Sequence, residues 1–169
     1  MQNDLSEKSR FDIAVEKTLA HEGGTVDAPG DPGGRTRFGI SKSAYPHLHI
    51  SSLTREDAIE IYRRDYWLAP NFHLIEDEKI ACKLFDLGVN AGTGRAVRLI
   101  QKAVNRFRRF EEKLAVDGRM GPRTAEAVNA FWHPQALLMA LMIEAGNHYF
   151  AIDNPRFLAG WLNRLADIE

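Results

Sequence analysis

A stretch that turns repeatedly, from Gly23-Gly24 to Gly39, follows directly on a helical pattern and limits where this chain can be regular. It holds Pro29 and Pro32 with Gly30, Gly33, Gly34 and Gly39, so neither a long helix nor a wide sheet can run through it. Upstream, Phe11, Val15 and Thr18/Leu19 recur at the three- and four-residue steps of a helix and form an apolar stripe. Glu22 continues that stripe, and Gly23-Gly24 reads as a left-handed helix stop, which puts Glu22 in the last turn. Burying an ionised carboxyl is costly, and the negative end of the helix dipole opposes the charge as well. Both effects favour a protonated acid. Such an acid can donate a proton to a leaving oxygen, as the cleavage of a glycosidic bond requires. The same position also fits an ordinary end-of-helix residue that reaches water past two glycines.

The turning segment supplies a second carboxylate and a hydroxyl. Asp31 stands nine positions after Glu22, and Thr36 five after Asp31. A chain that leaves a helix end and doubles back can set both across a groove from the first acid. Each also has a plainer reading, Asp31 as a turn residue bonding its own backbone and Thr36 as a residue of a hairpin strand.

Glu22-Gly23-Gly24, Asp31-Pro32-Gly33-Gly34-Arg35-Thr36 and Phe38-Gly39-Ile40-Ser41-Lys42 together resemble the signature of glycoside hydrolase family 108, lysozyme-like N-acetylmuramidases found in prophages. Later blocks are similar too, among them Leu53-Thr54-Arg55-Glu56-Asp57-Ala58, Tyr66-Trp67, Val89-Asn90-Ala91-Gly92 and Asn154-Pro155-Arg156-Phe157. The resemblance implies that Glu22 is the catalytic acid. The Glu, Asp, Thr order also resembles that of phage-type lysozymes, which implies that Asp31 and Thr36 hold the attacking water, although the gap between them is one residue shorter here. Many family members carry an aromatic residue directly after Glu-Gly-Gly and an Asn-Asp-Pro soon after. This chain has Thr25 and Asp27-Ala28-Pro29 instead, and Asp27 becomes a second candidate for the carboxylate facing Glu22.

Elsewhere the helix starts are well marked. Thr54-Arg55-Glu56-Asp57 resembles a capping box, and Gly121-Pro122, His133-Pro134 and Asn154-Pro155 each open a further helix. Periodicity predicts helices over 76–89 and 93–107, split by Asn90-Ala91-Gly92, and one from Pro134 to about Tyr149. Helices around a small hairpin lobe predict an α+β, mostly helical fold of the lysozyme type, with a cleft between the lobes. Residues 8–93 would form the catalytic region. Residues 94–165 would form a helical region, described in the family as a predicted peptidoglycan-binding region and expected to pack into the same globule. Within it, Asp117-Gly118-Arg119-Met120-Gly121-Pro122-Arg123-Thr124 is similar to the loop-to-helix segment of peptidoglycan-binding modules, and it also reads as a generic turn into a helix.

Phe38, Tyr45, Tyr66 and Trp67 are candidate sugar platforms, with core packing as the alternative for each. Asn90 could bond an N-acetyl group or water, or serve as a cap. Lys and Arg number 22 against 23 Asp and Glu, so no global field draws the chain to nucleic acid or to an anionic membrane. Basic residues still cluster at Arg95 to Arg98 and at Arg106, Arg108 and Arg109, either as a solvated face or as an attraction to the anionic cell wall. A single cysteine, Cys82, excludes an internal disulfide. The His47-x-His49 pair is too weak to predict a metal, and no cofactor is expected. No export signal or membrane-spanning run is visible. The expected protein is therefore cytoplasmic before it reaches the wall, and the resemblance implies release by a separate holin-like membrane permeabiliser.

Together with these residues, the resemblance implies an endo-acting muramidase that hydrolyses the β-1,4 bond between N-acetylmuramic acid and N-acetylglucosamine of bacterial peptidoglycan. A lytic transglycosylase, which would not need Asp31, is the near alternative. A wall-binding or secretion-accessory protein without turnover is the alternative from another class.

Overall fold

The apolar stripe of the first helix is the anchor of the fold. In the computed structural model, which describes residues 2–21, 25–26, 36–109 and 112–166, helix α1 (Gln2–His21) buries Phe11, Ala14, Val15 and Thr18 to 3% exposure or less. Burying such a face is the main driving force for docking an amphipathic helix. The Phe11 ring stands 5.8 Å from Trp67 and 6.0 Å from Phe85, and the Arg63 guanidinium lies over it at 4.1 Å.

Three short strands, β1 (Thr25–Val26), β2 (Thr36–Arg37) and β3 (Ile40–Ser41), form an antiparallel sheet in that order. Val26 pairs with Thr36, and Thr36 with Ser41. Phe38 and Gly39 make the β2–β3 turn with φ of 51° and 77°, the positive pair that a two-residue hairpin requires.

Helix α2 (Arg55–Ile61) starts at the expected capping box: Thr54 Oγ1 accepts from Asp57 N at 3.1 Å, and Asp57 Oδ2 accepts from Thr54 N at 2.9 Å. It runs straight into a π-helical segment, Tyr62–Leu68, whose end is marked by the five-residue bond from Ala69 N to Arg64 O at 3.0 Å. Helix α3 (Glu78–Ala91) is capped by Asp77, which accepts from Ile80 N at 2.9 Å. Gly92, at φ 90°, separates it from α4 (Thr93–Phe107). The helix predicted over 76–89 thus begins and ends about two residues later, and the 93–107 helix is found as read.

Pro122 and Pro134 occupy first-turn positions of α5 (Pro122–Asn129) and α6 (Pro134–Ile152), where a missing N–H costs nothing. Helix α7 (Pro155–Ala166) closes the chain. Helix α4 packs between α3 and α6, and one continuous hydrophobic core runs from Phe11 through Phe85 and Ile100 to Leu165. The buried Lys83 ammonium reaches the Leu165 carbonyl at 3.3 Å and the Arg164 carbonyl at 3.5 Å, a cation at a helix C-terminus, where the dipole favours it. Arg164 Nε in turn donates to Asp86 at 2.8 Å. This architecture is the mostly helical, lysozyme-like α+β fold expected from the sequence.

The Asp117–Thr124 segment is held inward. Gln101, 1% exposed, donates to Asp117 Oδ1 at 2.8 Å, the Arg119 carbonyl at 3.1 Å and Thr124 Oγ1 at 3.3 Å. Its own carbonyl accepts from Gly118 N at 3.0 Å. These bonds hold the Asp117 carboxyl below its ordinary range, through Gln101 first and the Arg119 backbone second. The loop is a clasp on α4, so of its two readings the turn into a helix accounts for its polar groups.

Candidate active site

Helix α1 ends at His21, so Glu22 is the next residue along a stripe that is buried at Phe11, Val15 and Thr18. Glu22, Asp27 and Asp31 lie outside the described residues. Thr36 is described: it is half-buried and sits on the central strand, paired on both sides.

Around the hairpin, three elements converge. The Tyr62 hydroxyl, on the π segment, donates to the Phe38 carbonyl at 3.0 Å. A bulky residue in the left-handed region costs about 1 kcal/mol or more. That bond, together with Arg37 over the Phe38 ring at 5.2 Å, holds it there. Arg37 also donates to the Ser51 carbonyl at 2.6 Å, tying the sheet to the segment that leads into α2. The Tyr45 hydroxyl donates to Asp65 Oδ2 at 2.7 Å, and Arg64 grips the same carboxylate with Nε at 2.7 Å and Nη2 at 2.8 Å. Arg64 is the main cause that keeps Asp65 below the ordinary carboxylate range, while burial, and then Asp65, pushes the Tyr45 phenol up. Tyr45 is thereby a neutral donor and a structural link between the hairpin side and the helical side.

Phe38 and Tyr66 are half-buried, and Tyr66 stands 5.5 Å from the Tyr62 ring and beside Tyr45. Both keep surface that a sugar ring could use. Trp67 does not. It is 0% exposed, packed against Phe11 and Phe85, and the expectation that it binds substrate is corrected. The cause is the π segment: with five-residue hydrogen bonding, Trp67 returns to the face of Tyr62, five positions earlier, rather than falling away as in an α-helix. Asn90 is exposed near the end of α3, and its amide donates to the Asp86 carbonyl at 2.9 Å and to Asp86 Oδ1 at 3.1 Å. Its nitrogen is thus engaged by the carboxylate that also binds Arg164.

Sequence reasoning missed Tyr62, Arg64 and Asp65 as the residues that fix the hairpin. The signal for Tyr62 was its hydroxyl, since a buried tyrosine O–H requires a partner.

Residues 15–92 match the family model described as glycosyl hydrolase 108, a range that contains every one of these candidate residues, and residues 95–166 match one described as a predicted peptidoglycan domain. Over residues 15–92 the chain carries a glycosyl hydrolase 108 domain. It is a glycoside hydrolase of lysozyme-like type with a peptidoglycan domain behind the catalytic one. Among solved structures, twelve chains match. One is reported as the structure of Brucella abortus SagA, 26% identical, covering 95% of this chain and 92% of that one at a TM-score of 0.77. No curated protein matches. Because the SagA likeness spans both halves, this glycosyl hydrolase shares the whole arrangement of α1 through α7 with it, and not the catalytic half alone.

Proposed function

We propose that this family 108 enzyme is an endo-acting N-acetylmuramidase that hydrolyses the β-1,4 bond between N-acetylmuramic acid and N-acetylglucosamine. Glu22 protonates the glycosidic oxygen as the C–O bond breaks, and water adds to the resulting oxocarbenium-like centre. Asp31, with Thr36, positions that water; Asp27 is the other carboxylate within the same turning segment. Phe38 and Tyr66 offer ring faces to the sugars, and the Asn90 amide carbonyl offers an acceptor to an N-acetyl group.

The observation that carries this reading is the register of α1. Buried Phe11, Val15 and Thr18 lead at helical steps to Glu22, and the helix ends one residue before it, next to a hairpin whose turn is braced by Tyr62. An acid at the end of a core-facing stripe serves proton donation and has no evident use in a passive binder. The setting we propose is prophage-type cell lysis, with the enzyme made in the cytoplasm and admitted to the wall by a separate holin-like permeabiliser. No helix among the described residues is long and apolar enough to cross a membrane.

Dye release from labelled Gram-negative sacculi tests the assignment. Glu22→Gln is expected to lower the rate by about 10² or more, as removal of a general acid does, with an unchanged melting temperature. A folded Glu22→Gln protein that releases dye at the wild-type rate would remove Glu22 from catalysis.

A further inference from the structure

Helices α4 and α6 enclose a cavity of about 190 Å³ whose lining includes Arg95, Arg98, Lys102, Glu144, Asn147 and His148. Its charge is one-sided. Arg95, Arg98 and Lys102 come from α4, a helix whose sequence from Thr93 to Phe107 contains no acidic residue. The one carboxylate in the lining, Glu144, is already held by Arg106 at 2.7 Å. Among the described residues, Arg95, Arg98 and Lys102 make no ion pair. Cations left this way around a cavity raise the local concentration of anions and can bind them by charge-assisted hydrogen bonds.

One of its cations, Arg98, is also backed by a neighbouring loop. The Gln101 clasp holds Gly118 against α4, and a side chain at Gly118 would meet the Gly94 carbonyl at 2.8 Å and the Arg98 guanidinium carbon at 3.0 Å. A glycine at this spot lets the loop lie directly behind Arg98 and limits where its guanidinium can go. Across from it, His148 is half-buried on α6, and burial first, then Arg95 and Lys102, hold it below its ordinary value. The neutral imidazole and the Asn147 amide each offer both a donor and an acceptor, which suits a peptide group beside a carboxylate better than a bare ion.

We propose that this α4/α6 cavity is an anion-binding subsite for the carboxylate-bearing stem peptide of peptidoglycan. It rests on peptidoglycan being the polymer that the enzyme works on, and it locates within residues 95–166 where the peptide part of that polymer is held. Arg95 and Lys102 engage the carboxylate, Arg98 closes the back of the cavity, and His148 with Asn147 meets the peptide backbone.

Isothermal titration of the whole chain with three probes tests this: a soluble disaccharide tetrapeptide, the same disaccharide without peptide, and inorganic phosphate. The tetrapeptide is expected to bind more tightly than either other probe. Its affinity should fall about tenfold or more in Arg95→Gln/Lys102→Gln, the scale of removing charged partners from a carboxylate. Arg123→Gln, a basic residue of α5 outside the cavity lining, serves as the control and should bind like the wild type. Equal binding of the tetrapeptide by wild type and folded double variant would overturn the subsite. So would a wild type that binds the two disaccharides alike, and phosphate binding tighter than the tetrapeptide would overturn its occupant. Release of fragments from sacculi by the wild type reads the hydrolase assignment separately: digestion without peptide-dependent binding removes only the subsite, and peptide-dependent binding without digestion removes only the hydrolase.

Discussion

His148 shows how much of a residue's chemistry comes from neighbours that are distant in sequence. It faces Arg95, Arg98 and Lys102 of α4 and Glu144 of its own helix, the last already bound to Arg106, and it is held below its ordinary 6.5 chiefly by burial. A histidine with a depressed folded value binds protons less readily than the unfolded chain does, so its contribution to stability is present above pH 6.5 and is lost as the pH falls through the folded value. The His148 ring resonances are therefore expected to titrate below 6.5 in an NMR pH series, and to move upward in Arg95→Gln/Lys102→Gln. A ring that titrates at 6.5 or above in the wild type would contradict the geometry. Other residues were legible from the sequence to different depths. The α1 stripe was read directly, because Phe11, Val15 and Thr18 lie within one helix and obey its period. The basic run at Arg95 to Arg98 was visible too, but its confinement with His148 was not, since α4 and α6 meet only through tertiary packing. Trp67 was left between sugar platform and core because its environment depends on a local change of helical period.

Among the elements, those with local signals appear where the sequence placed them. Thr54 and Asp57 close their capping box within four residues, and Pro122 and Pro134 mark first turns, because caps and prolines act on the backbone beside them. The π segment at Tyr62–Leu68 had no comparable signal. It places Tyr62 and Trp67 together around Phe85, an arrangement set by a core assembled from α1 and α3. The Asp117–Thr124 loop likewise showed its turn residues in the sequence but not its clasp, which depends on Gln101 of a preceding helix. Gly118→Ala tests that element. With φ at 80° and the Gly94 carbonyl 2.8 Å from the added carbon, the variant should lose about 1–3 kcal/mol, read as a lower denaturant midpoint. Wild-type stability would mean that the loop is not pressed onto α4.

At the scale of the molecule, the two family matches, residues 15–92 and 95–166, share one hydrophobic core. Lys83 and Asp86 of α3 grip the end of α7, so the last helix is fastened to the catalytic half. Unfolding by denaturant is expected to be a single transition, coincident by tryptophan fluorescence and by helical circular dichroism; two separated transitions would show that the halves are independent. The overall α+β class was legible because helix and hairpin signals are local. How the helices interleave within one globule was not, because the family description of two regions says nothing of their packing. Within this shared body the proposed chemistry turns on one carboxyl group, Glu22, and one bond. Mass spectrometry of the fragments released from purified Gram-negative peptidoglycan by wild type and by Glu22→Gln tests it most directly. Reducing N-acetylmuramic ends are expected from the wild type and none from the variant. Anhydro ends, or no fragments from a folded wild type bound to the wall, would contradict hydrolysis by Glu22.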